Sequence, residues 1–202
     1  GGGAASLKDV IDAASRPLSN WVDLIGVFGM TNADDALLAG HARDFGRRNV
    51  EGSAHRPLVI GNRVRDWALT ELPEVLFPYA SGQLVDIESL PGLGRWMWPT
   101  RTVLGNRATF AKLTYFEEGR PWWEWHQVAL DRRRTPLTLT FAFKATHNHF
   151  VLDRGASVFN RTAPIIKLPA GASVGDHLRL AALLNSSVGN FWVRQVCLNV
   201  GD

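Results

Sequence analysis

The sequence has one cysteine, Cys197, and no long apolar run, and both absences limit what the chain can be. A single cysteine cannot form an internal disulfide, and its apolar neighbours Val196 and Leu198 predict a buried thiol in a reducing compartment. No stretch approaches the roughly 20 apolar residues that a membrane-spanning helix needs, and the amino end shows no signal-peptide pattern. We therefore expect a cytoplasmic protein without a membrane partner.

The motifs of self-sufficient catalysis are also missing. There is no Gly-x-Ser-x-Gly elbow and no Walker pattern, and Gly92-Leu93-Gly94 lacks the third glycine of a dinucleotide fingerprint. The carboxylate pairs Asp34-Asp35 and Glu117-Glu118 fall in expected turns, where a solvated surface is the usual explanation. The sequence thus contains no active site that is recognisable on its own.

Length and composition indicate one folded domain with a sizeable core. The chain has 202 residues, of which 46% are hydrophobic and 20% charged. Residues 1–5 are interpreted as a linker or a cloning remnant because the chain starts with three glycines, and residues 6–202 as the domain. The net charge is only +3, but arginine strongly outnumbers lysine among the 22 basic residues. The guanidinium fork suits phosphates and base edges, although a GC-rich genome would give the same bias.

Periodicity predicts an α+β domain with a mixed or antiparallel sheet, flanking helices and a carboxy-terminal helical hairpin. Helices are expected from the cap Ser6 to the break at Pro17, over 93–110 with Pro99 near the start or at a kink, and over 176–184. A further helix should follow the cap at 185–187. Strands are expected at 21–28, 58–60, 75–77 and 137–144.

The run from Thr146 to Gly155 has the most unusual chemistry in the chain. If it forms a strand, His147 and His149 lie on one face, and Asp153 is at an even offset. Two imidazoles and a carboxylate suit a divalent transition metal with open coordination positions. The contiguous triplet at 147–149 does not match an HNH nuclease, whose residues are spread over a hairpin and a helix. Polar residues alternating on a strand usually face solvent, so a metal centre is the less favoured interpretation.

Arginine and asparagine cluster around the same region. Arg132, Arg133 and Arg134 precede the best-defined strand, and a loop after the run has Arg154, Asn160 and Arg161. Arginine and asparagine pair with guanine and adenine edges, and each good pair contributes roughly 1–3 kcal/mol of discrimination. The alternative explanation for such a charge run is a solvated turn.

Several segments resemble one protein family. The stretch from His147 to Pro169, with Leu183-Leu184-Asn185-Ser186-Ser187 and Phe191-Trp192, resembles the carboxy-terminal part of PglX-like adenine-specific DNA methyltransferases of the BREX phage-defence systems. The likeness continues more weakly through residues 56–59, 64–67 and 76–79. The Leu-Leu-Asn-Ser element is also similar to one in target-recognition domains of TaqI-type restriction-modification enzymes.

The catalytic half of that family binds S-adenosylmethionine with a glycine-rich loop and holds the flipped adenine with an Asn-Pro-Pro-aromatic motif. This sequence has neither motif. The resemblance therefore implies a target-recognition region without its own cofactor, whose S-adenosylmethionine and chemistry belong to an amino-terminal methyltransferase domain of a longer protein. Ala156 stands where the family pattern has a second glycine and Thr162 where it has serine, and both changes leave the loop interpretation intact.

Together, the resemblance and the residue pattern predict binding to double-stranded DNA. The expected contacts are Arg132, Arg133, Arg134, Asn148, His149, Arg154, Asn160, Arg161, Thr31, Asn32, Arg101 and Arg107. Asn148 and His149 could instead orient the loop from beneath. Two alternatives remain open, namely a metal-dependent enzyme built on His147, His149 and Asp153, and a non-catalytic domain that docks other defence-system proteins.

Overall fold

Short helices and short strands alternate along the chain, which the computed structural model describes from residue 3 to residue 197. The helices are α1 (Ala4–Ala14), α2 (Asp34–Leu37), α3 (Ala42–Gly46), α4 (Pro91–Met97), α5 (Arg101–Gly105), α6 (Val174–Asn185) and α7 (Ser187–Val196). Within residues 3–197, no helix has the length and apolar character needed to cross a bilayer. The strands are β1 (Leu24–Gly26), β2 (Gly29–Met30), β3 (Leu38–Ala39), β4 (His55–Val59), β5 (Val64–Arg65), β6 (Ala68–Leu69), β7 (Glu74–Leu76), β8 (Tyr79–Ala80), β9 (Gln83–Leu84), β10 (Gln127–Val128), β11 (Thr138–Thr140), β12 (Val151–Asp153), β13 (Val158–Phe159) and β14 (Ile165–Lys167).

Two four-stranded sheets organise the fold. One is antiparallel, in the order β1-β14-β11-β12. The other has the order β13-β4-β7-β3, and β13 runs parallel to β4 while the remaining pairs are antiparallel. β13 and β14 are consecutive strands in different sheets, so the chain between them connects the two. The predicted α+β class with mixed and antiparallel sheets is confirmed.

An aromatic cluster forms the centre of the larger core. Phe28 packs edge-on against Phe159 and Trp125, with ring centroids 6.1 and 6.5 Å apart. Trp125 also meets Phe77 at 5.3 Å, and its indole N–H donates to the Leu76 carbonyl at 2.8 Å. Phe28 and Phe159 lie one residue before Gly29 and Asn160, which form a parallel β-bridge. The cluster therefore fixes the position of the loops that follow both phenylalanines.

The predicted carboxy-terminal helical hairpin is present. α6 begins with a capping box between Ser173 and Asp176, and the Ser186 hydroxyl accepts a hydrogen bond from the Gly189 N–H at the start of α7. The Asn185 side chain bonds both the N–H and the carbonyl of Phe150, each at 2.8 Å. This pair of bonds ties the end of α6 to the segment before β12.

The helical spacing of Leu178, Ala181, Ala182 and Leu184 predicts that these four residues share one buried face of α6, and the structure confirms this only in part. Leu178 and Ala182 are exposed, whereas His177, Leu180 and Ala181 are buried. Leu180 and Ala181 join a second, smaller core cluster with Leu139 and Ile166 of the antiparallel sheet.

Two predicted helices have different limits. α1 begins at Ala4, so Ser6 is not its cap but lies in its first turn, where the hydroxyl donates to the Gly3 carbonyl at 2.9 Å. The single helix expected over 93–110 is instead α4 and α5, separated by a 3₁₀ turn that contains Pro99. Helical structure ends at Gly105, and Phe110 is exposed.

The strand expected over 137–144 is shorter than predicted, because β11 ends at Thr140. Beyond Thr140, the segment that precedes β14 contains Pro164, which has no N–H to donate. Only two isolated hydrogen bonds continue the pairing, from the Phe141 N–H to the Pro164 carbonyl and from the Phe143 N–H to the Thr162 carbonyl. His147 and His149 were expected on a strand but lie in irregular chain before β12. Cys197 is exposed rather than buried, and its neighbour Leu198 lies outside the described residues.

Glu51 anchors the start of α4. Its two carboxylate oxygens accept hydrogen bonds from the backbone N–H groups of Gly92 and Leu93, at 2.8 and 2.9 Å. Burial alone would raise the pKa of Glu51, but these bonds and the charge of Arg95 outweigh it, so the pKa lies below its ordinary value. The ionised form therefore stabilises the helix start.

We predict that Glu51→Gln lowers the free energy of unfolding by about 1 kcal/mol, because one N–H loses its acceptor and the helix loses a favourable charge. Urea unfolding at neutral pH measures this difference. Since the folded-state pKa is depressed, the difference should be complete above the ordinary glutamate pKa of 4.5 and should shrink as the pH falls through the folded-state value. An equal difference at all pH values would contradict this role of the charge.

Candidate nucleic-acid interface

An open groove of about 1030 Å³ runs across one side of the molecule. Five separate segments line it, within residues 30–36, 60–65, 100–103, 143–144 and 160–162. Its side chains include cations, amides and exposed apolar groups such as Val103 and Phe143, which are 66% and 67% exposed. An open cleft with this mixed lining can contact both charged groups and flat apolar surfaces of a ligand.

The parallel pairing of β4 with β13 brings two of these segments together. Parallel strands end at the same edge of a sheet, and β4 ends at Val59 while β13 ends at Phe159. The following loops touch, since the Gly61 N–H donates to the Thr162 hydroxyl at 3.0 Å. A Cβ atom at position 61 would collide with the Thr162 carbonyl oxygen, so the contact requires glycine there.

The second of these loops projects Arg161 into the groove. The Asn160 N–H donates to the Val59 carbonyl at 2.9 Å, and the Asn160 side-chain oxygen accepts from the Thr162 N–H at 3.2 Å. This local turn leaves Asn160 buried and Arg161 exposed between its two anchored neighbours. The loop therefore presents the arginine from a fixed backbone.

Three exposed cations line the groove, namely Arg65, Lys144 and Arg161. None of them makes a side-chain hydrogen bond or an ion pair with any residue in the range 3–197. Two carboxylates, Asp34 and Asp35, also line the groove, and Asp34 accepts a hydrogen bond from the Thr31 hydroxyl. The cations outnumber the carboxylates, so the groove favours an anionic ligand.

Polar side chains that can read a ligand lie among these charges. Asn32 and Asn62 are exposed in the groove, and each amide offers both donors and an acceptor. Asn32 has a backbone φ of +52°, a conformation that asparagine tolerates better than most residues.

Arg107 lies beneath the groove and supports it. It is 7% exposed, and its guanidinium donates to four carbonyls. The acceptors are those of Thr31 at 2.6 Å, Leu104 at 2.8 Å, Trp122 at 3.0 Å and Glu124 at 2.7 Å. Its hydrogen-bonding groups face the protein, so Arg107 fixes the backbone at Thr31 rather than offering donors to a ligand.

Arg101 lies beside the groove on α5. Its guanidinium packs over the rings of Trp98 and Phe116, with centroid distances of 5.3 and 4.9 Å. Its neighbours Thr100 and Val103 line the groove, but Arg101 itself does not. It therefore contributes positive charge at the margin.

A second, smaller cavity of about 250 Å³ is lined by the arginine triplet, which is Arg132, Arg133 and Arg134, together with Asp153 and Gly155. Arg132 donates to the Val27 carbonyl, and Arg133 lies over the Phe77 ring at 5.3 Å. Burial lowers the pKa of Arg133, and the charge of Arg56 acts in the same direction. Arg134 and Arg154 are exposed. Thus only part of this cluster is available to a ligand.

Lys167 holds the chain that follows the triplet. It is 5% exposed, and its ammonium group donates to the carbonyls of Thr135 and Leu137 and to the Thr138 hydroxyl, at 2.6 to 2.8 Å. Burial lowers the pKa of Lys167 to about 8, and the nearby Asp153 carboxylate opposes that shift. This buried lysine acts as a structural anchor.

The metal-centre alternative is not supported. The ring centroids of His147 and His149 are 6.5 Å apart, while the Asp153 carboxylate is buried and accepts from the Gly155 N–H at 2.8 Å. Among residues 3–197, no three His, Cys, Asp or Glu side chains are grouped so as to hold a metal ion. Asn148 donates to the Leu184 carbonyl at 2.8 Å, which places it in the support of the loop.

The structure thus divides the sequence-based candidates. Thr31, Asn32, Asn160 and Arg161 come together in the groove. The same groove also contains four residues that were not among the contacts expected from the sequence, namely Asn62, Arg65, Phe143 and Lys144. Arg65 belongs to the segment 64–67 that carried part of the family resemblance, but no sequence pattern marked the other three.

Comparison with known proteins gives one strong similarity. The chain is 47% identical over 196 residues to a protein named "Adenine-specific methyltransferase PglX" from Streptomyces coelicolor. The aligned part is 96% of this chain and 16% of that protein, so the chain spans about one sixth of its relative's length. No protein-family model matches the chain.

We predict that Arg107→Ala lowers the free energy of unfolding by on the order of 3 kcal/mol, because four carbonyls lose a charged donor in a buried position. Arg101→Ala is the matched control, since it removes the same charge from the neighbouring margin at a cost within about 1 kcal/mol. Chemical denaturation of both variants tests the difference. Equal losses would contradict the supporting role of Arg107.

Proposed function

We propose that this chain is the DNA target-recognition region of an adenine-specific DNA methyltransferase of the PglX type. The similarity to PglX supports the methyltransferase context. The groove has exposed amides and three cations whose side chains are unpaired within residues 3–197, and this grouping supports a recognition surface. The proposed relation to the target-recognition domains of TaqI-type enzymes and to BREX phage defence rests on the sequence resemblance alone.

The observation that carries the proposal is the grouping of Arg65, Lys144 and Arg161 in the groove. Each cation can neutralise a phosphate without first breaking a side-chain bond to any residue that the structure describes. Phosphate contacts of this kind position a duplex and provide most of the sequence-independent affinity. Because the loops that follow β4 and β13 are bonded to each other through Gly61 and Thr162, the backbone that carries Arg161 is held beside the segment that leads to Arg65.

In this proposal, the arginine and asparagine side chains of the groove distinguish one DNA base from another. Arg161 can pair with the two acceptors of guanine, and Asn32 or Asn62 with the donor and acceptor of adenine. Thr31 is 1% exposed, so its main contribution is its backbone position. The proposal keeps Arg134 and Arg154 as phosphate contacts outside the groove and Arg101 at its margin. It gives Arg107, Arg132, Arg133, Asn148, His149 and Asn160 supporting roles.

The proposal assigns methyl transfer to other parts of a longer protein. The residues of this chain include no glycine-rich loop for S-adenosylmethionine and no Asn-Pro-Pro-aromatic motif, so they do not fit the cofactor. A recognition region holds the duplex while a partner domain takes the target adenine out of the stack. The proposed partners are double-stranded DNA, that methyltransferase domain and other defence-system proteins, and the proposed compartment is the cytoplasm.

Binding of the chain to duplex DNA across a salt series tests this function. Affinity should fall steeply as salt rises, and Arg161→Ala, Lys144→Ala and Arg65→Ala should each weaken binding. Each loss of a phosphate contact reduces the slope of log K against log salt by about 0.9. A smaller change of slope with relaxed sequence preference would identify Arg161 as a base contact.

Arg179→Ala is the charge-matched control. Arg179 is exposed on α6, outside the groove, so its loss should leave both affinity and slope unchanged. Lack of duplex binding by the unsubstituted chain at low salt would contradict the proposal and favour a docking domain. Equal effects of Arg179→Ala and Arg161→Ala would show that net charge, not the groove, governs binding.

A further inference from the structure

A β-hairpin with an unusual turn contributes Arg65 to the lining of the groove. β5 and β6 pair through Val64–Leu69 and Arg65–Ala68, which leaves a loop of only two residues, Asp66 and Trp67. Both have positive φ angles, +48° and +60°, as in a type I′ turn. The second position of such a turn favours glycine, and a bulky residue there is strained. We refer to this element as the Trp67 hairpin.

The hairpin exposes its tryptophan. Trp67 is 62% exposed, and the aromatic ring that contacts it within the described part of the chain is His149, with centroids 6.3 Å apart. The Nδ1 atom of His149 is buried and has no hydrogen-bond partner in the same described part of the chain. A glycine at position 67 would relieve the backbone at the loss of this single ring contact. Strain of this kind persists where the residue serves a function.

The Trp67 hairpin is directly connected to the charged groove. Arg65 lies two residues before Trp67 and lines the groove, and its side chain makes no hydrogen bond or ion pair within residues 3–197. Lys144 lies in the groove on the chain that leads to His149. An exposed indole in the same hairpin as a cation of the groove provides the two features of single-strand binding surfaces, an aromatic platform and positive charge along the backbone path.

We propose that Trp67 stacks on a nucleobase that is unpaired or taken out of the duplex, while Arg65 contacts the backbone next to it. This inference rests on the proposed DNA-binding function and adds a contact that no part of that proposal requires. Stacking on an indole tolerates any base, because every base has a π-face. The two-residue turn fixes the backbone that carries the indole, so little loop entropy is lost on binding.

The experiment compares two probes with the full 202-residue chain at one low salt concentration. One probe is a fully paired duplex, and the other is the same duplex with a central bubble of unpaired bases. The unsubstituted chain should bind the bubble more tightly. Trp67→Ala should weaken bubble binding by roughly 5- to 100-fold, the range for loss of one stacked base, and should affect the paired duplex much less.

Three further variants make the test specific. Trp67→Phe should retain most of the preference for the bubble, because a ring remains. Trp21→Ala, which removes a 59% exposed tryptophan from another part of the chain, should change nothing. Trp67→Gly should lose the preference without lowering the unfolding midpoint, since glycine suits the turn.

The outcomes separate this inference from the function on which it rests. Equal binding of both probes by the unsubstituted chain, or an undiminished preference in Trp67→Ala, would overturn the stacking role and leave the recognition function standing. A lower unfolding midpoint in Trp67→Gly would show that the indole is a structural contact, and would also overturn it. Failure of the unsubstituted chain to bind either probe would overturn both.

Discussion

The parallel pairing of β4 with β13 is the constraint on which the candidate interface depends. It joins segments about 100 residues apart in the chain and makes them end at the same edge. The loops that follow, at 60–65 and 160–162, then meet through Gly61 and Thr162. Without this pairing, nothing would hold the segments of Arg65 and Arg161 at the same cleft. The aromatic cluster around Phe28 and Phe159 supports the pairing from below.

Arginine has two different roles in this protein. Some guanidinium groups stabilise the fold: that of Arg107 donates to the Thr31 carbonyl, and that of Arg133 packs over the Phe77 ring. Others, such as Arg65 and Arg161, are exposed, and their side chains make no hydrogen bond or ion pair with the described residues. The high arginine content therefore does not measure the size of a DNA-binding surface. The unpaired members and their place in the groove carry the functional argument.

The sequence predicted those parts of the fold that local rules determine. Capping at Ser186 and the periodicity of α6 located the helical hairpin, and short apolar runs located β4 and β7. The prediction for 137–144 was wrong at its end, because the alternation of apolar residues in one strand does not show that the neighbouring segment contains Pro164. The groove could not be predicted, since its lining depends on pairing between distant segments. Arg161 was found because its own loop is polar, while Lys144 and Asn62 have no local feature that marks them.

The proposed account rests on two different observations, the similarity to PglX and the geometry of the groove. In that account, this chain orients DNA through loops held by a rigid sheet edge. Ultraviolet cross-linking of the chain to duplex DNA, with mass spectrometry of the linked peptides, tests this claim most directly. The account predicts cross-links within residues 60–65, 143–144 and 160–162. Cross-links confined to α1, α6 and α7 would contradict it.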